Sequence, residues 1–137
     1  MTVMKTAEAI VAEDLADIGE RLSAEFAQMS GQKLLIVGGA GFLGYYLVQA
    51  PLAWNRTGRG KPIEVTVYDN WIRGTPDWLK SLSDDPHLTL VTHDITNPMP
   101  ANAPDFDYIV HAASIASPIF YRKYPIETMD ANVNGLR

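Results

Sequence analysis

Residues 33–44 constrain the chain more than any other stretch. Lys33-Leu34-Leu35-Ile36-Val37 is a short apolar run behind a charged start, and Gly38-Gly39-Ala40-Gly41-Phe42-Leu43-Gly44 follows at once. Such a run reads as a strand covered on both faces, the habit of parallel sheets. Phe42 to Ala50 reads as a helix that ends or kinks near Pro51. A glycine cluster between a buried strand and an apolar helix has a mechanical reading. The first glycine permits a tight turn off the strand, the second lets the backbone approach a pyrophosphate, and the third lets the helix pack on the strand. The helix start then offers unpaired N–H groups and the positive end of its dipole to the phosphates. Both Gly39-x-Gly41-x-x-Gly44 and Gly38-x-x-Gly41-x-x-Gly44 are present. A glycine-rich turn that holds no ligand is the competing reading.

The rest of the chain supplies the matching elements. Ile63 to Tyr68 is β-branched and reads as a second strand closed by Asp69-Asn70, after a polar loop over Asn55 to Lys61. Pro76 to Leu82 reads as a short helix, with Pro76 in its first turn. Leu88 to Thr92 and Asp107 to His111 read as third and fourth strands, separated by a proline-bearing loop. Ala112 to Pro125 reads as a long connection, and a helix begins at Ile126. Alternating strands and helices predict an α/β domain with a parallel sheet, the first part of a doubly wound dinucleotide fold.

Asp69 meets the second requirement of such a site, an acidic residue closing the second strand. A carboxylate there accepts bonds from ribose hydroxyls and repels a 2′-phosphate, and the nearest Arg, Arg73, does not follow directly. NAD is therefore expected over NADP. Asp94, after the third strand, is placed to accept from an adenine amine, or else only shapes a turn. His87, His93 and His111 fall on separate elements without metal-ligand spacing, so no metal is expected.

Composition closes off other classes. With 47% hydrophobic and 20% charged residues, the 137-residue chain suits one folded domain. No cysteine excludes disulfides, iron–sulfur ligation and thiol chemistry, and a net charge of −5 without a basic cluster argues against nucleic acid. Residues 5–29 read as one amphipathic helix, with Val11, Leu15, Ile18, Leu22, Phe26 and Met29 at steps of three and four and Gly31 as its C-cap. It either packs on its own domain or serves as an oligomerisation arm. Acidic residues interrupt any signal-peptide core there, and glycines break the uncharged stretch from Leu34 to Asn55. No membrane partner and a cytoplasmic location are expected.

Val37 to Gly44, Tyr68-Asp69-Asn70, His93-Asp94-Ile95 and His111-Ala112-Ala113-Ser114 together resemble the extended short-chain dehydrogenase/reductase family, from about Lys33 to the last residue. These are NAD-dependent sugar-nucleotide epimerases, dehydratases and decarboxylases with a Rossmann-like sheet. The resemblance implies cofactor contacts at Gly38, Gly41, Phe42, Leu43 and Gly44, at Asp69 and Asn70, at Asp94 and Ile95, and at Ala112, Ala113 and Ser114. Ala116-Ser117-Pro118-Ile119-Phe120-Tyr121, with Pro125 beyond, is similar to the Ala-Ser-Pro-x-x-Tyr element of UDP-glucuronate decarboxylases. By that likeness Ser117 and Pro118 line the sugar-nucleotide pocket and Tyr121 lies near the sugar carboxylate, unless the loop is packing common to many epimerases.

The implied chemistry is transient oxidation at C4 of the sugar. A 4-keto acid then loses CO₂, whereas an epimerase returns hydride to the other face and a dehydratase eliminates water. The family's Tyr-x-x-x-Lys pair is absent: Tyr121 with Lys123 has the wrong spacing. The expected organisation is an amphipathic helix over 1–31 and an incomplete NAD-binding Rossmann domain over 32–137. It is expected to be the N-terminal part of a longer homodimeric enzyme and inactive alone. A non-catalytic NAD-binding module is the reading from another class.

Overall fold

The computed structural model describes residues 4–137, so the first three residues of the 1–31 segment lie outside it. Four strands form one parallel sheet: β1 (Lys33–Val37), β2 (Glu64–Asp69), β3 (Leu88–Thr92) and β4 (Tyr108–His111). Their order is β3-β2-β1-β4. The chain steps outward from β1 to β3, then crosses back to lay β4 on the other side of β1. That reversal is the doubly wound, Rossmann-like pattern, as expected. β1 sits in the middle, with Leu35 opposite both Thr66 and Ile109. Leu35 and Ile36 are 1% and 0% exposed, which explains why the run has no polar alternate.

One sheet face carries α3 (Gly44–Arg56), where Val48 and Leu52 join Ile36, Val65 and Val67 in the core. The short α4 (Asp77–Lys80) closes the same core through Leu79. The N-terminal stretch packs on its own domain: Leu15 and Phe26 belong to that core, and the Phe26 ring lies 6.0 Å from Trp54. Three further helical segments follow β4: α5 (Pro118–Lys123), α6 (Pro125–Val133) and a 3₁₀ turn at Asn134–Leu136. Among the described residues no helix is long and apolar enough to cross a membrane.

The structure corrects four expectations. The single helix over 5–29 is two, α1 (Ala7–Arg21) and α2 (Ser23–Met29), parted at Leu22 with φ −102° and ψ 22°. The break rotates Phe26 into the core while Leu22 stays exposed. Gly31 lies one residue past the Ser30 C-cap, with φ +76°, the position where a helix stop needs glycine. The helix after the glycine cluster does not end at Pro51 but runs through it to Arg56. An interior proline costs about 3 kcal/mol. Burying Leu52 and Trp54 to 0% and 2% exposure returns more, at about 2–3 kcal/mol for each large apolar side chain. Asn55 is therefore helical rather than loop, and its amide pairs both ways with the Ile63 backbone at 2.9 and 2.8 Å. Finally, the connection from Ala112 to Pro125 contains α5, because Pro118 sits at the first helical position, where its missing N–H costs nothing.

Candidate functional site

Parallel strands end on the same edge of a sheet, so the loops that follow them meet there. Backbone bonds tie the four loops together: Gly38 N–H donates to Tyr68 O at 2.7 Å, His93 N–H to Asp69 O at 2.9 Å, and Ala112 N–H to Val37 O at 2.8 Å. The glycine loop after β1 thus lies between Asp69 on one side and Ala112-Ala113 on the other. β1 is also where the strand order reverses, the usual place for a ligand crevice in an open α/β sheet.

Two glycines are required by geometry. Gly38 has φ +79°, and a Cβ there would fall 2.6 Å from Ala113 Cα. A Cβ on Gly44 would fall 1.9 Å from Gly39 O, so the start of α3 is pressed directly onto the loop. The turn off the strand is thereby made by Gly38, which favours the Gly38-x-x-Gly41-x-x-Gly44 spacing. α3 has Leu43 at its N-cap and no side-chain cap. Its first amide groups point ahead without an internal acceptor, as at any uncapped helix start. Phe42 and Leu43, in front of it, are 94% and 66% exposed.

Asp69 is half-buried at the end of β2. Its Oδ2 accepts from Ala40 N–H at 3.1 Å and its Oδ1 from Trp71 N–H at 2.9 Å. Each carboxylate oxygen has two lone pairs, so one per oxygen remains for a ligand hydroxyl. Asn70 beside it is exposed and accepts from Ile72 N–H at 3.2 Å. Asp94 lies two residues past β3, where its Oδ1 accepts from Thr96 N–H at 3.0 Å and Thr96 Oγ1–H at 2.7 Å. These bonds, the backbone one foremost, hold its carboxyl below the usual carboxylate range, with Asn70 and His93 assisting. Ile95 turns inward and packs with Ala113 on Leu35, Val37 and Tyr68.

On the other side of β1, Ser114 is exposed and accepts from Asn132 Nδ2 at 2.9 Å. Ser117 caps α5 in backbone conformation only, and its carbonyl takes the N–H of Phe120 and Tyr121. Pro118 and Tyr121 are exposed on α5, with Tyr121 at 38%. The structure thus gathers the glycine loop, Asp69, Asn70, Asp94, Ala112, Ala113 and Ser114 on one sheet edge. Ser117, Pro118 and Tyr121 stand on the separate α5 element. The three histidines stay apart, and among the described residues no group of three His, Asp or Glu side chains could hold a metal.

Sequence reasoning missed Trp71. It holds φ +54°, rare for a bulky residue, and donates its indole Nε1–H to Thr92 Oγ1 at 2.8 Å. Only the Asp69-x-Trp71 spacing, which permits an Asx turn, hinted at it. Arg73, two residues on, reaches over the Phe120 ring of α5 at 5.9 Å, a contact no local pattern predicts.

Residues 34–137 match the family model described as the NAD dependent epimerase/dehydratase family. The chain is 38% identical over 113 residues to UDP-glucuronic acid decarboxylase 5 of Arabidopsis thaliana, covering 82% of this chain and 30% of that protein. It is 33% identical over 104 residues to UDP-glucuronic acid decarboxylase 1 of Danio rerio, covering 76% and 22%. The chain thus spans less than a third of the length of the relatives it matches. Among solved structures, the dTDP-glucose 4,6-dehydratase of Streptomyces venezuelae with NAD and TYD bound superposes with a TM-score of 0.63 at 28% identity, over 75% of this chain and 33% of that one. A UDP-N-acetylglucosamine 4-epimerase from Methanobrevibacter ruminantium shares the fold, with a TM-score of 0.60 at 23% identity over 77% and 32%.

Proposed function

The chain belongs to the NAD-dependent epimerase/dehydratase family, and from that premise we propose that it is the cofactor-binding part of a nucleotide-sugar enzyme, a UDP-glucuronate decarboxylase. The carrying observation is the meeting of an uncapped helix start, the glycine loop and the Asp69 carboxylate on one sheet edge. The residues fit a dinucleotide. A Cβ at Gly38 or Gly44 would collide with backbone, so the loop keeps the path that a pyrophosphate needs. Asp69 has lone pairs left for ribose hydroxyls, and Asp94, whose carboxyl is oriented by its Thr96 bonds, is an acceptor for an adenine amine.

Bound there, NAD supplies hydride removal from the sugar and its later return. The chain's own residues bind and orient. The α3 start and the amides of the glycine loop receive the pyrophosphate, Asp69 selects a free 2′-hydroxyl, and Ala112 to Ser114 border the far end. Ser117, Pro118 and Tyr121 stand on the sugar side, with Tyr121 toward the carboxylate that leaves as CO₂. Decarboxylation is favoured over 4-epimerisation or 4,6-dehydration by the Ala116-Ser117-Pro118-x-x-Tyr121 element and by the named relatives.

The test is CO₂ release from UDP-glucuronate by the full-length protein. Expected is CO₂ and a UDP-pentose without net consumption of NAD. A UDP-hexuronate epimer, or turnover of a hexose nucleotide with loss of water, would assign the same half-site to the epimerase or dehydratase reaction instead. Binding of NAD without turnover of any nucleotide sugar would leave a non-catalytic NAD module.

A further inference from the structure

α3 begins without a side-chain cap, behind an exposed loop, and its first turn is also held from the side. Tyr46 lies in that turn, and its hydroxyl donates to Asp14 Oδ2 of α1 at 2.5 Å. The Tyr46 ring packs edge-on against Tyr45 at 5.2 Å and 81°, and Tyr45 packs edge-on against Trp78 of α4 at 5.2 Å and 70°. With Gly41, Phe42 and Leu43 these three rings wall a cleft of about 400 Å³ against the glycine loop. The grip therefore runs from α1, through Tyr46 and Tyr45, to α4, across the base of the loop. α1 is itself fixed, because Leu15 is in the core beside Asp14. A hydroxyl-to-carboxylate bond is charge-assisted and about twice as strong as a neutral one. The family match begins at residue 34, so Asp14 belongs to a segment outside it.

Resting on the reading of the glycine loop as a pyrophosphate seat, we propose that Asp14 is a positioning residue for nucleotide binding. It holds Tyr46 and thereby fixes the first turn of α3, whose amides meet the phosphates. Asp14 touches no ligand. Its effect falls mainly on the pyrophosphate end of the dinucleotide, because Tyr46 is in the α3 turn, whereas Asp69 meets the glycine loop only through the Ala40 N–H.

The test uses the full-length protein with Asp14→Ala, Asp14→Asn, Tyr46→Phe and the Asp14→Ala/Tyr46→Phe double variant. Each is titrated with NAD and, by competition, with adenosine, and its thermal midpoint is recorded. Asp14→Ala and Tyr46→Phe should each weaken NAD about five- to tenfold, less than the whole of one charge-assisted hydrogen bond because the bond acts on the phosphates only through the α3 turn. The double variant should lose no more than either single one. Adenosine, which lacks the pyrophosphate, should bind within about twofold of wild type. Asp14→Asn keeps an acceptor oxygen but loses the charge, so its NAD affinity should fall between those of Asp14→Ala and wild type. Unchanged NAD affinity, equal losses for NAD and adenosine, or additive losses in the double variant would each overturn the proposal. If Asp14→Ala does not fold, Tyr46→Phe, which removes one hydroxyl, decides the matter. Wild-type protein that binds neither ligand overturns the nucleotide reading itself, which separates that failure from a failure of Asp14.

Discussion

On the α3 side of the sheet, Ile36, Val48, Leu52, Val67 and Leu79 are all fully buried, and the glycine loop grows directly out of that packing. On the chain after β4, neither α5 nor α6 buries a single residue, and Ile119, Ile126 and Met129 are 76%, 77% and 66% exposed. Both regions carry candidate site residues. The difference is in what holds them. Gly38, Gly44 and Asp69 are placed by contacts that a buried core makes expensive to change. Ser117, Pro118 and Tyr121 ride on a six-residue helix that is marginal without tertiary burial. Within these 137 residues the glycine loop and Asp69 are held by buried packing, and the segment with Ser117, Pro118 and Tyr121 is not.

The largest test of that contrast is Gly44→Val. Its Cβ would meet Gly39 O at 1.9 Å, against backbone rather than a movable side chain. A loss on the order of 3 kcal/mol or more is expected in urea denaturation, with NAD binding lost as well. Retention of both would mean the α3 start is not pressed on the loop. A matched pair comes next. Leu52→Ala should cost about 2–5 kcal/mol, through lost burial and a residual cavity. In this 137-residue chain, where Ile126 is 77% exposed, Ile126→Ala should stay within about 0.5 kcal/mol. Equal losses for the two would erase the contrast.

The smallest effect is a pH dependence at Asp94. Its folded carboxyl lies below the ordinary value of 3.8. Its contribution is therefore complete above the unfolded pKa and drains away as pH falls through the folded one. Asp94→Asn should be less stable than wild type at pH 7. The gap should close as the pH is taken below about 4, the unperturbed aspartate range. A gap that stays constant down to pH 2 would show that the carboxylate's charge plays no part in holding the β3 loop.

Much of this was legible beforehand because it is written in short-range pattern. Four apolar residues from Leu34 to Val37, then glycines, then an apolar helix, permit few folds. Asp69 was legible because a carboxylate that closes the second strand of such a unit has one edge to sit on. Asp94 was placed correctly after β3, but its Thr96 bonds depend on a loop conformation that no periodicity encodes. Trp71 in a left-handed conformation was illegible for the same reason. The helix in the Ala112–Pro125 connection was hidden because its two prolines, Pro118 and Pro125, read as breakers. Each in fact occupies the first position of a helix.

By itself the sequence determined the sheet class, the glycine loop and the acidic strand end, since each follows from alternation and spacing within some ten residues. Only the tertiary structure decided that α3 continues through Pro51, that the N-terminal helix breaks at Leu22, and that Asp14 reaches Tyr46 across 32 residues of chain. In each case burial or a long-range partner outweighs the local preference. Leu52 and Trp54 keep the proline helical, Phe26 turns inward to meet Trp54, and the carboxylate of Asp14 finds a hydroxyl that neither segment could supply alone.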